Sequence, residues 1–295
     1  MGKGKAYLCV LLAATTWGTI GFFVKTLVAA GFTEAQLIAF RSWVSTAILV
    51  IFLAVTDRSL LKIQLRDSWM FIGTGIISFT LFGICYFIAL QLTSLSTAAI
   101  LLYTSPIFVT IFSVWLFHEK FTSRMAISLS MAFLGCVLVS GFSGAGSPLG
   151  ILLGVLAGLF YSLYSIFGKF ALRKYHPLTV VTYTFVFATI GITPFCDPAR
   201  LASVEWTPST TAILLFFSAA SGALAYLLYT RGLAGLPATV AAVIAILEPV
   251  VAAVTGVFVF GEQLNFVSIL GIGLVLSAIL ILSLAPSRTQ NTPSR

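Results

Sequence analysis

One carboxylate stands out because it lies inside a long apolar run of the sequence. Glu248 falls near the middle of the run 237–259, and Pro249 follows it directly. A charged group inside a membrane is costly, so it marks a functional site by default. Proline removes a backbone donor and frees a carbonyl about one turn earlier. Glu248 could therefore bind the ammonium group of a substrate or carry a proton. The alternative is a protonated glutamic acid that bonds a neighbouring helix as a structural link.

Aromatic residues near the middle of other apolar runs form a second candidate group. Most of the 26 Phe and 9 Tyr are expected to pack or to face lipid. A cavity lined by aromatic faces would nevertheless suit an amphipathic or aromatic molecule, and it could hold an ammonium group by cation–π attraction. The candidates for contact with such a molecule are Trp17, Tyr86, Tyr103, Tyr161 and Tyr164.

Charged residues near the ends of the runs have simpler interpretations. Lys25, Glu34 and Arg41 lie near the outer ends of the first two runs, where a salt bridge or extension of the side chain toward water is common. The alternatives are an outer gate formed by Lys25 and Arg41, or capture of a substrate carboxylate by Arg41. Glu119 and Glu262 each follow a run, and we expect them to act as interfacial caps.

The composition explains why these residues must be positioned by membrane helices. Of 295 residues, 59% are hydrophobic and 8% are charged, whereas a soluble domain carries about 25% charged residues. Runs of roughly 20 apolar residues cross a bilayer as helices, because the backbone has to satisfy itself in lipid. The sequence therefore predicts an all-α membrane protein with ten transmembrane helices, near 6–28, 35–56, 69–90, 96–117, 125–142, 149–171, 178–195, 209–229, 237–259 and 264–284.

The basic residues indicate an orientation. With both termini placed in the cytoplasm, twelve Lys and Arg residues fall in cytoplasmic segments and only Arg200 falls on the other side. This is the positive-inside pattern of membrane proteins. The net charge of +8 is therefore not interpreted as a nucleic-acid-binding surface. The four cysteines form no CxxC pattern, so neither a disulfide framework nor a zinc site is expected.

An internal repeat divides the runs into two sets of five. Matching residues recur at a constant offset of 143, and they pair Tyr86 with Tyr229, Pro106 with Pro249 and Glu119 with Glu262. Because five is odd, the second copy has to be inverted relative to the first, which is a common plan of secondary transporters. The predicted units are a first five-helix repeat over 6–142, an inverted second repeat over 149–284, and a cytoplasmic tail over 285–295.

The repeat also pairs two prolines that could bend equivalent helices. Pro106 and Pro249 predict kinks in the fourth and ninth helices, which could swing one helix end for gating, or could be static bends. Ser105 takes the position of Glu248 in the first copy, so the carboxylate has no counterpart there.

Together these features resemble a known family. Trp17-Gly18 in the first helix, the doubled proline–glutamate pairs and Leu247-Glu248-Pro249 are similar to the EamA branch of the drug/metabolite transporter superfamily. The resemblance covers about 7–284 and is greatest to YddG-type exporters of aromatic and other amino acids. It implies that the fourth and ninth helices line a central path, and that the chain resides in a bacterial-type inner membrane.

The expected function is export of amino acids or similar small metabolites by alternating access. A carrier of cationic drugs or nucleotide sugars is the alternative within the same family, although Lys25, Arg41 and Lys169 are too dispersed to form a clear phosphate site. A non-transporting membrane scaffold is the alternative from another class. No P-loop, HExxH or GxSxG motif occurs, and no pair of histidines could hold a metal. We therefore expect no enzyme activity, no cofactor and no metal.

Overall fold

The architecture was obtained from a computed structural model, which describes residues 2–141, 146–196, 199, 204, 206–261 and 263–283. Over these residues, ten helices are long and apolar enough to cross a membrane, so the all-α prediction is confirmed. We number them as spans 1 to 10: Lys3–Ala29, Glu34–Thr56, Leu65–Leu92, Leu95–Phe117, Ser123–Ser140, Pro148–Leu172, Pro177–Phe195, Pro208–Gly235, Ala238–Phe260 and Phe266–Ser283.

The observed ends of the spans lie close to the predicted ones, with one clear exception. Span 8 continues to Gly235, whereas the hydropathy pattern predicts an end near 229. The additional turns contain the polar residues Thr230 and Arg231, which depress hydropathy. Thr230 is buried and shares a hydrogen bond of 2.6 Å with the Tyr164 hydroxyl. A helix in the interior of the bundle can contain a buried hydroxyl that has a hydrogen-bond partner. A hydropathy profile does not show that partner, so it places the end of the helix too early.

Local capping chemistry begins several spans. The Thr33 hydroxyl accepts a bond from the Gln36 amide, and the Gln36 side chain accepts one from the Thr33 amide. This reciprocal capping box satisfies two amides that helix geometry leaves free. Span 6 begins with Pro148 after the capping residue Ser147. Proline suits this position because its missing donor is not needed in the first turn.

Helix boundaries repeat along the chain with the offset seen in the sequence. Ala238, which begins span 9, follows Leu95, which begins span 4, by 143 positions. The same offset relates the ends of spans 3 and 8, the ends of spans 4 and 9, and both ends of spans 5 and 10. Spans 3 and 8 also contain wider π-helical turns, which stop at the corresponding residues Leu81 and Leu224.

The main packing pairs are conserved when the two sets of five are exchanged. Span 1 packs on span 8, and span 6 packs on span 3. Spans 5 and 10 pack on each other, as do spans 2 and 7. Small residues make the closest approaches, because hydrocarbon itself supplies no hydrophobic force between helices. A methyl group on Gly135 would lie 2.8 Å from the Gly271 carbonyl oxygen, so spans 5 and 10 meet backbone to backbone there.

The periphery is apolar and the interior is partly polar. Phe258, Trp115 and Val55 are among the most exposed side chains, as expected for surfaces in contact with lipid. Inside the bundle, hydroxyls bond across spans, as in the 2.7 Å bond from Thr184 to Thr74. Such bonds satisfy polar groups that hydrocarbon would leave without a partner.

Candidate functional site

Three spans are interrupted near the centre of the bundle. Span 1 breaks at Thr19, span 4 at Tyr103–Thr104 and span 9 at Ile246. Pro106 and Pro249 lie in the first turn of the helices that follow the breaks in spans 4 and 9. The prolines therefore accompany complete interruptions rather than simple bends, and each interruption precedes its proline by about a turn, as a missing donor predicts.

Glycines bring other helices close to two of these breaks. A methyl group on Gly18 of span 1 would lie 2.7 Å from the Glu248 carbonyl oxygen, just after the break in span 9. A methyl group on Gly158 of span 6 would lie 2.8 Å from the Leu101 carbonyl oxygen, just before the break in span 4. Each half thus places a glycine of its first helix against the interrupted helix of the other half.

Aromatic rings surround a central cavity beside these breaks. The Trp17 ring centre lies 5.2 Å from that of Tyr226, 5.3 Å from that of Tyr229 and 6.5 Å from that of Tyr161. The Trp17 indole donates a 3.1 Å hydrogen bond to the Ser221 carbonyl, where span 8 forms its π-helical turn. The free volume of the cavity in this structure is about 20 Å³, and Ser105, Tyr164, Ser165 and Ala242 contribute further to its lining.

Hydroxyl pairs fix the orientation of two of the rings. The Tyr229 hydroxyl shares a 2.7 Å bond with Ser165, and the Tyr164 hydroxyl shares its 2.6 Å bond with Thr230. Each pair joins span 6 to span 8. Because buried hydroxyls are costly without partners, these bonds hold both rings in defined positions against the cavity.

Two opposite charges lie near the aromatic cluster. The Arg41 guanidinium carbon is 4.9 Å from the centre of the Phe79 ring, and a terminal nitrogen donates to the Tyr226 hydroxyl at 3.5 Å. The Nε atom of Arg41 is buried without a hydrogen-bond partner. Glu248 is half-buried and attracts Arg41 electrostatically, but over the described residues no ion pair within 4.0 Å joins them. Both groups therefore retain bonding capacity for a third partner.

Comparisons with known proteins identify the family of the chain. A family model described as the EamA-like transporter family matches residues 4–141 and, a second time, residues 148–284. The chain belongs to the EamA-like transporter family. It is therefore a multi-pass membrane transporter, whose substrate the family assignment leaves open.

Relatives of this EamA-like transporter extend over its whole length. An uncharacterized transporter, YwfM, from Bacillus subtilis is 26% identical over 98% of this chain and 97% of its own length. An uncharacterized transporter from Archaeoglobus fulgidus is 26% identical over 95% of this chain and 96% of its own. A protein of known crystal structure has the same fold, with a TM-score of 0.82, 17% identity, and coverage of 96% of this chain and 98% of its own.

Most predicted site residues of the EamA-like transporter lie in one region. Trp17, Tyr161 and Tyr164 line the cavity itself. Tyr103 lies at the break in span 4. Tyr86 reaches the cluster through Phe82, whose ring centre lies 5.9 Å from that of Tyr86 and 5.1 Å from that of Tyr161. Their direct role in binding stays a prediction.

The structure does not bring Lys25 and Arg41 together. The Lys25 amine lies 3.8 Å from the centre of the Phe260 ring, at the end of span 9. Arg41 instead lies in the wall beside the aromatic cluster. Of the two expected caps, Glu119 binds the start of span 9, whereas Glu262 lies outside the described residues.

Sequence reasoning missed Tyr226 and Tyr229, both of which line the cavity. A signal for Tyr229 was present, because the repeat pairs it with Tyr86. Tyr226 lies three positions earlier, on the same face of span 8. Applying the offset of 143 to the candidate tyrosines would have identified this face.

Proposed function

We propose that this protein exports amino acids, aromatic and other, or similar small metabolites by alternating access. In this proposal the two sets of five spans have opposite orientations, both termini are cytoplasmic, and the membrane is a bacterial-type inner membrane. The repeated helix boundaries and the main packing pairs, which are conserved on exchange of the halves, support two related units. Transporter folds with inverted repeats bind substrates between the repeats, near the membrane midplane.

The observation that carries the proposal is the pairing of an aromatic cavity with two separated charges. An amino acid has an ammonium group, a carboxylate and a side chain, and each has a matching partner here. Glu248 would bind the ammonium group, and Arg41 would bind the carboxylate. The rings of Trp17, Tyr161 and Tyr226 would contact an apolar or aromatic side chain, since such rings offer broad contact with restricted motion.

The asymmetry of the cavity supports a directional binding mode. Ser105 lines the cavity at the position in the first half that corresponds to Glu248 in the second. A zwitterion can therefore be held in one direction only, with its ammonium group toward span 9. The proposal assigns no chemical step to these residues.

Cationic amphipathic compounds are the second candidate, because aromatic rings and a single carboxylate also suit a cation. Arg41 distinguishes the two candidates. Its guanidinium would repel a simple cation, whereas it would attract the carboxylate of an amino acid. An amine that matches an amino acid in its side chain but lacks the carboxylate should therefore be a poorer substrate.

The test is counterflow uptake of a panel of labelled amino acids by proteoliposomes, with and without a proton gradient. Glu248→Gln should weaken uptake while leaving the protein folded. A lost charge-assisted bond is worth about 1.5–3 kcal/mol, or roughly a ten- to hundredfold change in apparent affinity. Glu34→Gln is the matched control, because Glu34 is a half-buried carboxylate at the start of span 2.

Two results would contradict the proposal. Uptake by Glu248→Gln that equals the parent's between about pH 5 and about pH 8 would remove this carboxylate from the mechanism. Absence of flux and of any ligand-dependent thermal shift, across amino acids and organic cations, would instead indicate a scaffold without transport activity.

A further inference from the structure

The end of span 4 provides a cap for the beginning of span 9. The Glu119 carboxylate accepts hydrogen bonds from the Ala238 amide at 2.8 Å, the Thr239 amide at 3.4 Å and the Thr239 hydroxyl at 3.1 Å. His118, just before it, has a left-handed backbone with φ of 53°, which ends span 4 and redirects the chain. The capping carboxylate and the capped helix belong to different halves of the protein.

Span 9 depends on this cap because its own N-terminal residue supplies none. Pro237 precedes the helix and makes no side-chain cap bond. The first amides of a helix have no partner within it, and its positive end favours an anion. Glu119 therefore satisfies amides that would otherwise be unpaired in a buried location.

A second contact holds the same segment from span 6. The Lys169 amine donates a 2.5 Å bond to the Leu236 carbonyl, directly before Pro237. Lys169 and Glu119 also attract each other electrostatically. The start of span 9 is thus held on one side by a carboxylate from span 4 and on the other by an amine from span 6.

The capped half-helix is buried and forms part of the cavity wall. All eight residues of Ala238–Ala245 are buried, and Ala242 and Ala245 line the cavity. After the break, only Pro249, Val250 and Gly256 are buried in span 9. The bundle is therefore packed more completely around the capped half than around the other half.

We propose that Glu119 is a positioning residue that latches this half-helix shut. With the three bonds formed, Ala238–Ala245 stays against spans 4 and 6 and blocks passage from that end. Opening the cavity at that end requires the half-helix to leave the carboxylate, so the latch biases the protein toward the closed arrangement. This inference rests on the alternating access of the proposed function.

The experiment measures access to the cavity without using a substrate. The four cysteines are replaced by alanine, and Ala242→Cys is added as the only thiol. A membrane-impermeant maleimide is applied to oriented vesicles from the face that carries Glu119. Labelling should be slow in the parent and about tenfold faster with Glu119→Gln, which corresponds to about 1.4 kcal/mol in the opening equilibrium. Glu34→Gln should label like the parent.

A milder variant protects the test against misfolding. Thr239→Val removes one of the three bonds and keeps the carboxylate on both amides, so labelling should accelerate by about threefold. If Glu119→Gln does not purify as a monodisperse protein, Thr239→Val decides the test. Labelling at the parent rate in the folded variants overturns the latch.

The two proposals fail in different ways. Faster labelling of Glu119→Gln in a protein that moves no amino acid supports the latch and contradicts the proposed substrate class. Unchanged labelling in a protein that does exchange amino acids contradicts the latch alone.

Discussion

Gly18 offers a steric prediction about the contact between spans 1 and 9. It lies where span 1 breaks, against the first turn of span 9 after its own break. A methyl group there would lie 2.5 Å from the Val251 Cβ atom and 2.7 Å from the Glu248 carbonyl oxygen. Favourable contacts between carbon atoms occur at about 3.5–4.0 Å, so Gly18→Ala must separate the two helices by about 1 Å.

The expected cost follows from this displacement. Overpacking a close-packed interior typically costs about 1–3 kcal/mol. Gly21 provides a matched control one turn further along, because a methyl group there would meet nothing within 4 Å. Gly21→Ala should be neutral or should stabilise the helix by up to about 1 kcal/mol, the difference in helix propensity between the two residues.

The assay compares free energies of unfolding for both variants in mixed micelles, together with their uptake in proteoliposomes. Gly18→Ala should be less stable than Gly21→Ala by at least about 1 kcal/mol. It should also bind substrate more weakly, since Trp17 and Glu248 flank the contact. Equal stability of the two variants would refute the close approach of spans 1 and 9.

Two further predictions concern the walls of the cavity. Arg41→Gln should weaken the apparent affinity for amino acids by about tenfold or more and strengthen that for the corresponding amines, because it removes both an attraction and a repulsion, as competition measurements in proteoliposomes would show; equal losses for both ligand classes would contradict carboxylate binding. Tyr229→Phe should leave the Ser165 hydroxyl without its partner and lower the free energy of unfolding by about 1 kcal/mol. Adding Ser165→Ala to Tyr229→Phe should lower the free energy of unfolding little further, because the bond is already lost.

The ten helices could be predicted from the sequence because the bilayer determines their length. The hydrocarbon core requires runs of roughly 20 apolar residues, and the chain contains ten of them. The offset of 143 was also readable from matched tyrosines, prolines and glutamates, and the ends of spans 3, 4 and 5 recur with it in spans 8, 9 and 10. The extension of span 8 through Thr230 was not, since hydropathy does not register a hydroxyl that is satisfied by Tyr164.

The residues that line the cavity or lie near it were only partly predictable. Glu248 was identified because a carboxylate inside an apolar run is rare. The position of Arg41 depends on the rotation of span 2 about its axis, which packing determines and periodicity alone does not. The position of Tyr226 likewise depends on the rotation of span 8 about its axis. A hydropathy profile cannot distinguish this residue from a tyrosine that faces lipid.

The sequence predicts that Glu119 is a helix cap, but it does not predict which helix is capped. A glutamate after an apolar run suggests an interfacial cap, and nothing local indicates which helix it serves. The structure shows that it serves the start of span 9, 119 positions further along the chain. A contact between residues so far apart in sequence depends on how the two halves pack together. The order of the residues does not reveal that packing.

The central claim is that two five-helix halves of opposite orientation enclose one cavity. It is tested most directly by the sidedness of two equivalent exposed positions, Lys120 and Gln263, which are separated by the repeat offset and by five spans. Each is changed to cysteine in a cysteine-free chain and exposed to an impermeant maleimide in sealed, oriented vesicles. Our account predicts that Lys120→Cys is labelled only from the cytoplasmic face and Gln263→Cys only from the opposite face. Labelling of both from the same face would contradict it.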